Sequence, residues 1–478
     1  MRMQVATPEA YKLLHDGTLV LAQVEQDGIR IDTDYLDRTL VKIEEKIRNL
    51  DSDLRQSDVY KVWKKRYGSD TNLDSGQQMA TVFFKDLGYK NRSDKLTWDE
   101  ATFMDVDHPF IYDYFHVKKL KKLHSTYLMG VRAETAADGF MRPSFNLAGG
   151  FQDDKRGGAI TYRSSSSMIN FQNIPSRVPW MAKIIRRCFI ARDGHQLGEN
   201  DYRQLEVCAA AFYHKDPTML DYLHDPTKDM HRDAAMDLFG IEAYQVSKFI
   251  RYQTKNGFVF PEFYGSYFGN VAMNLWEAIK RSSEMRLCKE GDNPSEPTGV
   301  HLLKWLEKKR ITELGDVEMG GEPSKGTFAY EVKYQEDQLW NEKFPVYAKW
   351  KKDFYTEYQK RGGVRILSGF WCGGVMKRNE VINYPVQGVA FHCLLQSMIW
   401  IHKELRRRKM RTRLVGQIHD SLLADVHHSE VEDYFKIARH VMTVLLPRRW
   451  TFINVPLEVE AELSPLGKTW YDKEKYDL

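Results

Sequence analysis

Cysteine is scarce in this chain and follows no metal-binding or disulfide pattern. Five cysteines are scattered among 478 residues and none forms a Cys-x-x-Cys pair, which argues against structural zinc and against a disulfide framework. The sequence also lacks a run of about 18 apolar residues and a signal-peptide pattern. We therefore expect a cytoplasmic, reduced setting and no membrane partner.

A strong charge of either sign is missing as well. The 70 basic and 66 acidic side chains leave a net charge of +4, which is too small to identify a nucleic-acid-binding protein by itself. No internal repeat is visible. An apolar content of 42% supports well-formed cores, and the length predicts roughly two to four subdomains.

Residues 32–55 carry the clearest helical pattern. Apolar side chains recur at spacings of three and four, with Asp32 or Thr33 as the cap. Further along, four lysines lie within the five positions 118–122. They could follow a phosphate backbone or simply form a solvated face.

Other segments have coarser signals. Residues 143–178 indicate loops and short strands, 205–249 helices, and 286–327 an inserted surface excursion rich in Gly and Pro. Further strands are expected at 188–191 and 196–198, helices at 344–361 and 386–408, and β-hairpins at 366–374 and 414–426.

Two short strings carry candidate chemistry. Asp201 and Glu206 lie in Asn200–Glu206, and Asp420 lies in Gln417–Ser421; each string follows an apolar, strand-like run. An Asp after a strand is usually a turn or cap residue. Two acids that converge from distant strands can instead hold divalent ions for phosphoryl transfer.

Several motifs together resemble DNA polymerase family A, the bacterial polymerase I-like enzymes, and they occur in that family's order. They are Arg163 in Thr161–Ser165, Asn170–Arg177, Asp201-Tyr202-x-Gln204-x-Glu206, Asp229–Arg232, Arg251-x3-Lys255 with Phe260-x3-Tyr264, Asn383-x3-Gln387-Gly388, and Gln417-x-His419-Asp420. The amino-acid sequence of residues 255–261 resembles the bacteriophage members of the family more than the bacterial ones.

The resemblance implies an α+β right-hand fold, with an antiparallel palm sheet and helical fingers and thumb. It places the thumb at 1–150, the palm at 151–209 and 389–478, and the fingers at 210–388. It further implies a DNA-directed DNA polymerase that adds dNTPs to a primer 3′-OH on primer-template DNA. No exonuclease carboxylates precede the thumb, so proofreading would need a separate chain, and a processivity chain would be another partner.

The resemblance also assigns site residues. Asp201 and Asp420 would be catalytic and would ligate two Mg²⁺ ions, with Mn²⁺ as a substitute. The dNTP would be bound by Gln204, Glu206, His231, Arg251, Lys255, Phe260 and Tyr264. The DNA would be bound by Arg163, Asn170, Gln172, Asn173, Asn383, Gln387, Gln417 and His419.

Four departures from the family pattern qualify this assignment. Lys255 and Tyr264 are nine positions apart, one more than usual, so a regular helix would turn Phe260 and Tyr264 away from the Arg251 face. We therefore predict a one-residue π-bulge between Lys255 and Pro261. Ser421 stands where Glu is usual, Asn379 where Arg is usual, and the 286–327 excursion is additional.

Two alternatives stay open at this point. A single-subunit RNA polymerase on the same fold is hinted at by His419-Asp420-Ser421 but opposed by Glu206 and the Arg163 block. A non-catalytic DNA-binding scaffold is opposed by the presence of both Asp201 and Asp420. The sequence leaves fidelity, processivity, strand displacement and the use of modified nucleotides undecided, and a phage-encoded chain would act in the host cytoplasm.

Overall fold

The computed structural model describes residues 2–91, 100–103, 106–147, 161, 163–167, 169–176 and 178–477. Tyr162 and Arg177 of the Arg163 block lie outside these residues. None of the helices in the described ranges is long and apolar enough to cross a membrane. All five cysteines are buried and unpaired with one another, as the absence of a cysteine pattern predicts.

The strands of the described residues are β1 Arg2–Val5, β2 Ile29–Ile31, β3 Phe140–Met141, β4 Ser144–Asn146, β5 Ser165–Ser167, β6 Phe189–Ile190, β7 His195–Tyr202, β8 Gly363–Arg365, β9 Phe370–Gly373, β10 Arg413–Ile418, β11 Ser421–His427, β12 Val459–Leu463 and β13 Glu474–Lys475. Within these residues they form four antiparallel sheets, and the largest has five strands in the order β10-β11-β7-β12-β13.

Helices make up most of the remainder. They are α1 Pro8–Asp27, α2 Thr33–Gln56, α3 Asp58–Tyr67, α4 Gly76–Thr81, α5 Pro109–Lys122, α6 Met129–Glu134, α7 Pro179–Arg186, α8 Leu205–His214, α9 Pro217–His224, α10 Met230–Phe239, α11 Lys248–Thr254, α12 Phe260–Phe263, α13 Phe268–Arg281, α14 Leu302–Lys308, α15 Phe328–Gln338, α16 Pro345–Arg361, α17 Arg378–Arg407, α18 Val431–His440 and α19 Leu446–Arg449.

The amphipathic pattern at 32–55 is confirmed as α2, and Asp32 is its cap: its Oδ1 accepts from the backbone N–H of Tyr35 at 2.8 Å. The end of α2 joins α3, α4 and α5 around a small core of its own that contains Trp63, Phe83 and Phe110. A helical lobe therefore stands apart from the main core.

α17 is the longest helix and begins eight residues before the predicted start at 386. The prediction was wrong there because Pro385 inside an otherwise helical pattern usually marks an end. α17 packs against α1 and α8, and β1 pairs with β9. The first helix of the chain is thereby joined to the main core rather than to the helical lobe.

The central sheet is built around β7, which pairs with β11 on one side and β12 on the other. The predicted hairpin at 414–426 is confirmed as β10 and β11. The predicted strand at 188–191 is shorter, since only Phe189 and Ile190 are extended, and it pairs with β2 in a separate sheet. A hairpin is present near the predicted 366–374, formed by β8 and β9. Its predicted start was wrong, because β8 ends at Arg365 and 366–369 form the turn.

Candidate active site

Asp201 and Asp420 meet at one end of the central sheet. Asp201 is the penultimate residue of β7 and pairs in register with Ser421, the first residue of β11. Asp420 lies in the turn between β10 and β11, and its carbonyl oxygen accepts from the backbone N–H of Tyr202 at 3.2 Å. Both acids line one cleft of about 580 Å³. The convergence of the two strings is therefore confirmed.

Backbone geometry turns the chain away from the sheet beside each acid. Gln204, just after β7, has φ 51°, and His419, just before Asp420, also has φ 51°. Non-glycine residues rarely adopt this left-handed conformation, and it clusters at functional sites. The two turns keep the carboxylates at the open end of the strands.

The local field penalises negative charge at both acids. Burial, followed by the charges of Glu199, Asp420 and Glu460, raises the pKa of Asp201 to about 7. Burial and the charge of Glu206 raise the pKa of Asp420 to about 6. Carboxylates that repel one another in a cleft favour a proton or a cation between them.

Positive charge faces these acids from α11. Arg251 and Lys255 line the same cleft, and Nε of Arg251 donates to Oδ2 of Asp229 at 2.5 Å. Burial, followed by the charge of Arg251, lowers the pKa of Lys255. Asp229 also accepts from the backbone N–H groups of His231 and Arg232 at the start of α10, so it fixes Arg251 relative to that helix.

His231 lies beside these cations with an unusual environment. It is 2% exposed, and neither ring nitrogen has a hydrogen-bond partner among the residues that the structure describes. Burial, with help from Lys255 and Arg251, lowers its pKa to about 3. A neutral imidazole in a polar cleft can still donate one N–H to a ligand.

The predicted helix irregularity is confirmed. A π-helix covers Lys255–Val259 between α11 and α12, and the backbone N–H of Phe260 donates to the carbonyl of Lys255. The extra residue is absorbed in this turn, and Phe260 lines the same cleft as Arg251 and Lys255. Nζ of Lys255 lies 5.2 Å from the centre of the Phe260 ring.

Glu206 also lines the cleft, half-buried in the first turn of α8. Nη1 of Arg163 donates to its Oε1 at 3.2 Å. The phenolic hydroxyl of Tyr264 donates to its Oε2. Arg163, predicted to bind DNA, therefore pairs with a carboxylate of the predicted dNTP site, while Gln204 lines the cleft beside Glu206.

The predicted DNA-binding residues divide into buried and accessible groups. Oε1 of the buried Gln417 accepts from Ser164 at 2.5 Å and from Gln172 at 2.7 Å, and its Nε2 donates to the carbonyl of His419 at 2.6 Å. Asn170, Asn173 and His419 are exposed, and Gln387 is half-buried. Nδ2 of Asn383 donates to the carbonyl of Tyr264 at 3.4 Å.

Sequence reasoning missed several charged residues of the cleft, namely Arg186, Glu199, Arg203 and Glu460. One signal was available: Glu199 is two positions before Asp201, so strand alternation puts both side chains on one face. Glu460 and Arg186 come from distant segments and had no local signal. In the described ranges, no group of three or more His, Cys, Asp or Glu side chains is arranged to hold a metal ion.

Comparison with known proteins agrees with this geometry. The family model for DNA polymerase family A matches residues 36–285 and 348–472, and the gap between the two ranges contains the whole predicted excursion at 286–327. DNA polymerase I of Chloroflexus aurantiacus is 26% identical in an alignment of 457 positions that covers 93% of this chain and 42% of that relative. The DNA polymerase of Bacillus phage SP01 is 24% identical in an alignment of 494 positions that covers 89% of this chain and 46% of that relative. The chain spans less than half the length of these curated relatives.

A solved structure has the same fold. The POL domain of Pol1 from M. smegmatis, in complex with DNA primer-template and dNTP, superposes with a TM-score of 0.71 at 22% identity. The match covers 96% of this chain and 70% of that one. The predicted right-hand α+β fold is thereby confirmed.

Proposed function

Because the chain belongs to DNA polymerase family A, we propose that it is a DNA-directed DNA polymerase that extends a primer 3′-OH with dNTPs. One observation carries the proposal. Asp201 and Asp420 line the same cleft as Arg251, Lys255 and His231. A triphosphate needs cations along its phosphates and a divalent ion at the reacting phosphorus. This cleft combines cations that would hold the phosphates with carboxylates that would hold the ion.

The residues present suit a magnesium site. Asp201 and Asp420 offer only carboxylate oxygens, the donors that Mg²⁺ prefers. Burial and then neighbouring carboxylates raise the pKa of both groups, and a divalent cation would offset this penalty on their negative charge. With two protein carboxylates, phosphate and water oxygens would complete the coordination. When bound, the ions would activate the primer hydroxyl and neutralise charge on the triphosphate.

The protein's own groups perform the positioning. Arg251 and Lys255 would hold the outer phosphates, with Arg251 kept in place by Asp229. His231 would donate an N–H to a phosphate oxygen, which would give its unpartnered ring nitrogen a role. Phe260 would cover the sugar and base, and Glu206 would lie where a ribose 2′-OH would need space.

We also propose the subdomains on this basis. The lobe built from α2 to α5 would be the main body of the thumb within 1–150, because it has its own core. The central sheet with the part of α17 from residue 389 onward would be the palm, and 210–388 the fingers. The exposed Asn170, Asn173 and His419 would approach the duplex. Gln172 and Gln417, which are hydrogen-bonded to each other, would support that surface from inside the protein.

Primer extension tests the proposal directly. The wild-type chain and Asp420→Ala would each be given a primed template, Mg²⁺ and either dNTPs or rNTPs. We expect extension with dNTPs and a loss of about 10³-fold or more in Asp420→Ala, since several kcal/mol of charge stabilisation is removed. Both proteins should bind the primed template equally well.

Two results would contradict the proposal. Equal use of rNTPs would favour the RNA polymerase alternative and remove the argument from Glu206. DNA binding without extension by the wild-type chain would favour the scaffold alternative.

A further inference from the structure

Glu199 shares the cleft with the two candidate catalytic acids but has a different environment. It lies on β7 two residues before Asp201, so both side chains point from the same face of the sheet. Its side chain is 14% exposed, and it lines the same cleft as Asp201, Asp420 and Ser421. A carboxylate so little exposed needs partners to stay charged.

Three donors from two segments hold this carboxylate. Oγ of Ser421 donates to Oε1 at 2.8 Å. Nε1 of Trp470 donates to Oε2 at 3.1 Å, and Nζ of Lys473 forms an ion pair with the same oxygen. Lys473 in turn contacts Oε2 of Glu462 at 2.7 Å. Both oxygens of Glu199 are therefore engaged and the side chain has one defined orientation.

The contact with Ser421 links Glu199 to the Asp420 turn. Ser421 directly follows Asp420, and its hydroxyl also lies 3.1 Å from the carbonyl of Ile418, at the other end of the turn. Ser421 is itself the register partner of Asp201. One hydroxyl thus connects Glu199 with both ends of the turn that carries Asp420 and with the strand that carries Asp201.

We propose that Glu199 is a positioning residue of the two-acid site: through Ser421 it fixes the Asp420 turn and adds a negative charge beside the divalent cations. This inference rests on the proposed polymerase function. Glu199 would compensate for Ser421, which stands where the family usually has Glu, by supplying a carboxylate from the neighbouring strand. Outer partners of metal ligands typically change metal affinity by about 10–100-fold.

A purely structural ion pair with Lys473 is the competing explanation. The variants Glu199→Gln, Glu199→Gln with Lys473→Met, and Glu462→Gln separate the two. The double variant removes the pair without leaving a buried lone charge. Glu462→Gln is the matched control, since Glu462 faces Glu199 across the strands and contacts the same lysine. A fourth variant, Glu199→Ser with Ser421→Glu, exchanges the two side chains.

The measurement is Mn²⁺ binding by electron paramagnetic resonance, on the full chain with a dideoxy-terminated primed template and no dNTP. The Mg²⁺ concentration for half-maximal extension and the thermal midpoint accompany it. We expect Glu199→Gln, alone and combined with Lys473→Met, to weaken Mn²⁺ binding by about tenfold or more. The Mg²⁺ concentration for half-maximal extension should rise by a similar factor. Glu462→Gln should match the wild type, and the exchanged variant should recover to within about threefold of it.

Recovery of Mn²⁺ binding in Glu199→Gln with Lys473→Met would overturn the proposal in favour of the structural pair. Unchanged Mn²⁺ binding in Glu199→Gln would also overturn it. A wild-type chain that binds Mn²⁺ but does not extend a primer would contradict the polymerase proposal instead. The role of Glu199 is decided by Mn²⁺ binding alone.

Discussion

The phenolic hydroxyl of Tyr264 donates a hydrogen bond to Glu206, and the Tyr264 ring stacks on Phe260 with 5.9 Å between ring centres. The segment that carries Arg251 and Lys255 is thereby connected to Glu206 at the start of α8. A substrate sugar that packs on Phe260 would meet this pair first. Tyr264 and Glu206 together are therefore the natural place to test sugar selection.

Glu206→Ala should relax sugar selection. The smaller side chain leaves room for a 2′-OH, so the preference for dNTP over rNTP should fall by about 100-fold. Single-nucleotide incorporation with each substrate measures the ratio. Tyr264→Phe is the control: it removes the hydrogen bond but keeps the ring, and it should shift the ratio far less. An unchanged ratio in Glu206→Ala would show that the sugar is selected elsewhere.

Lys255→Ala should weaken dNTP binding more than DNA binding. Removal of a cation that would contact the triphosphate should raise the dNTP dissociation constant by about 10–100-fold, because a charge-assisted contact is lost. Pre-steady-state incorporation across a dNTP series gives the constant. Lys248→Ala, at the first residue of the adjoining helix α11, is the matched control, because Lys248 is exposed and does not line the cleft. Equal effects of the two changes would argue against a phosphate site at Lys255.

Gly257→Ala should destabilise the π-helical turn. A Cβ there would lie 2.5 Å from Cδ2 of Leu275, which is fully buried. Overpacking of this kind costs about 1–3 kcal/mol. Thermal unfolding should show a lower midpoint for Gly257→Ala. Adding Leu275→Ala should relieve part of the steric conflict between the two side chains. A midpoint equal to that of the wild type would mean that the turn can shift freely.

Acid should destabilise the fold through its buried histidines. Burial lowers the pKa of His214, His231 and His392 to about 3 in each case. Unfolded histidine titrates near its ordinary value, so the unfolded state binds more protons between about pH 3 and 6.5. The contribution of these histidines to stability should therefore be constant above about pH 6.5 and fall below it, by at most about 1.4 kcal/mol per pH unit for each histidine. The raised pKa values of Asp201 and Asp420 act in the opposite direction.

Urea midpoints between pH 5 and 8 measure this slope. His392→Asn removes one of the three groups; Nδ1 of His392 lies 2.5 Å from the Ser368 hydroxyl. The pH dependence of stability below pH 6.5 should therefore change by up to about 1.4 kcal/mol per pH unit relative to the wild type. An unchanged slope in this variant would assign the acid sensitivity to other groups.

The local motifs of this protein could be predicted from sequence because their signals are local. Hydrophobic periodicity gave α2, and the extra residue between Lys255 and Tyr264 gave the π-helical turn, since a fixed angle per residue makes a displaced face predictable. Alternation along β7 could also have given Glu199. Pro385 misled the prediction of α17, because the packing of that helix against α1 and α8 outweighs one lost backbone hydrogen bond.

The sequence by itself determined the order of the motifs, the two acids and the cations of α11, and with them the expected fold. Only the tertiary structure decided which of those side chains face the cleft and which form hydrogen bonds inside the protein. Gln417 is buried against Ser164 and Gln172, and Glu199 is held by residues more than 200 positions away. Such pairings follow from strand register and from the packing of distant segments, and neither leaves a periodic trace in the chain.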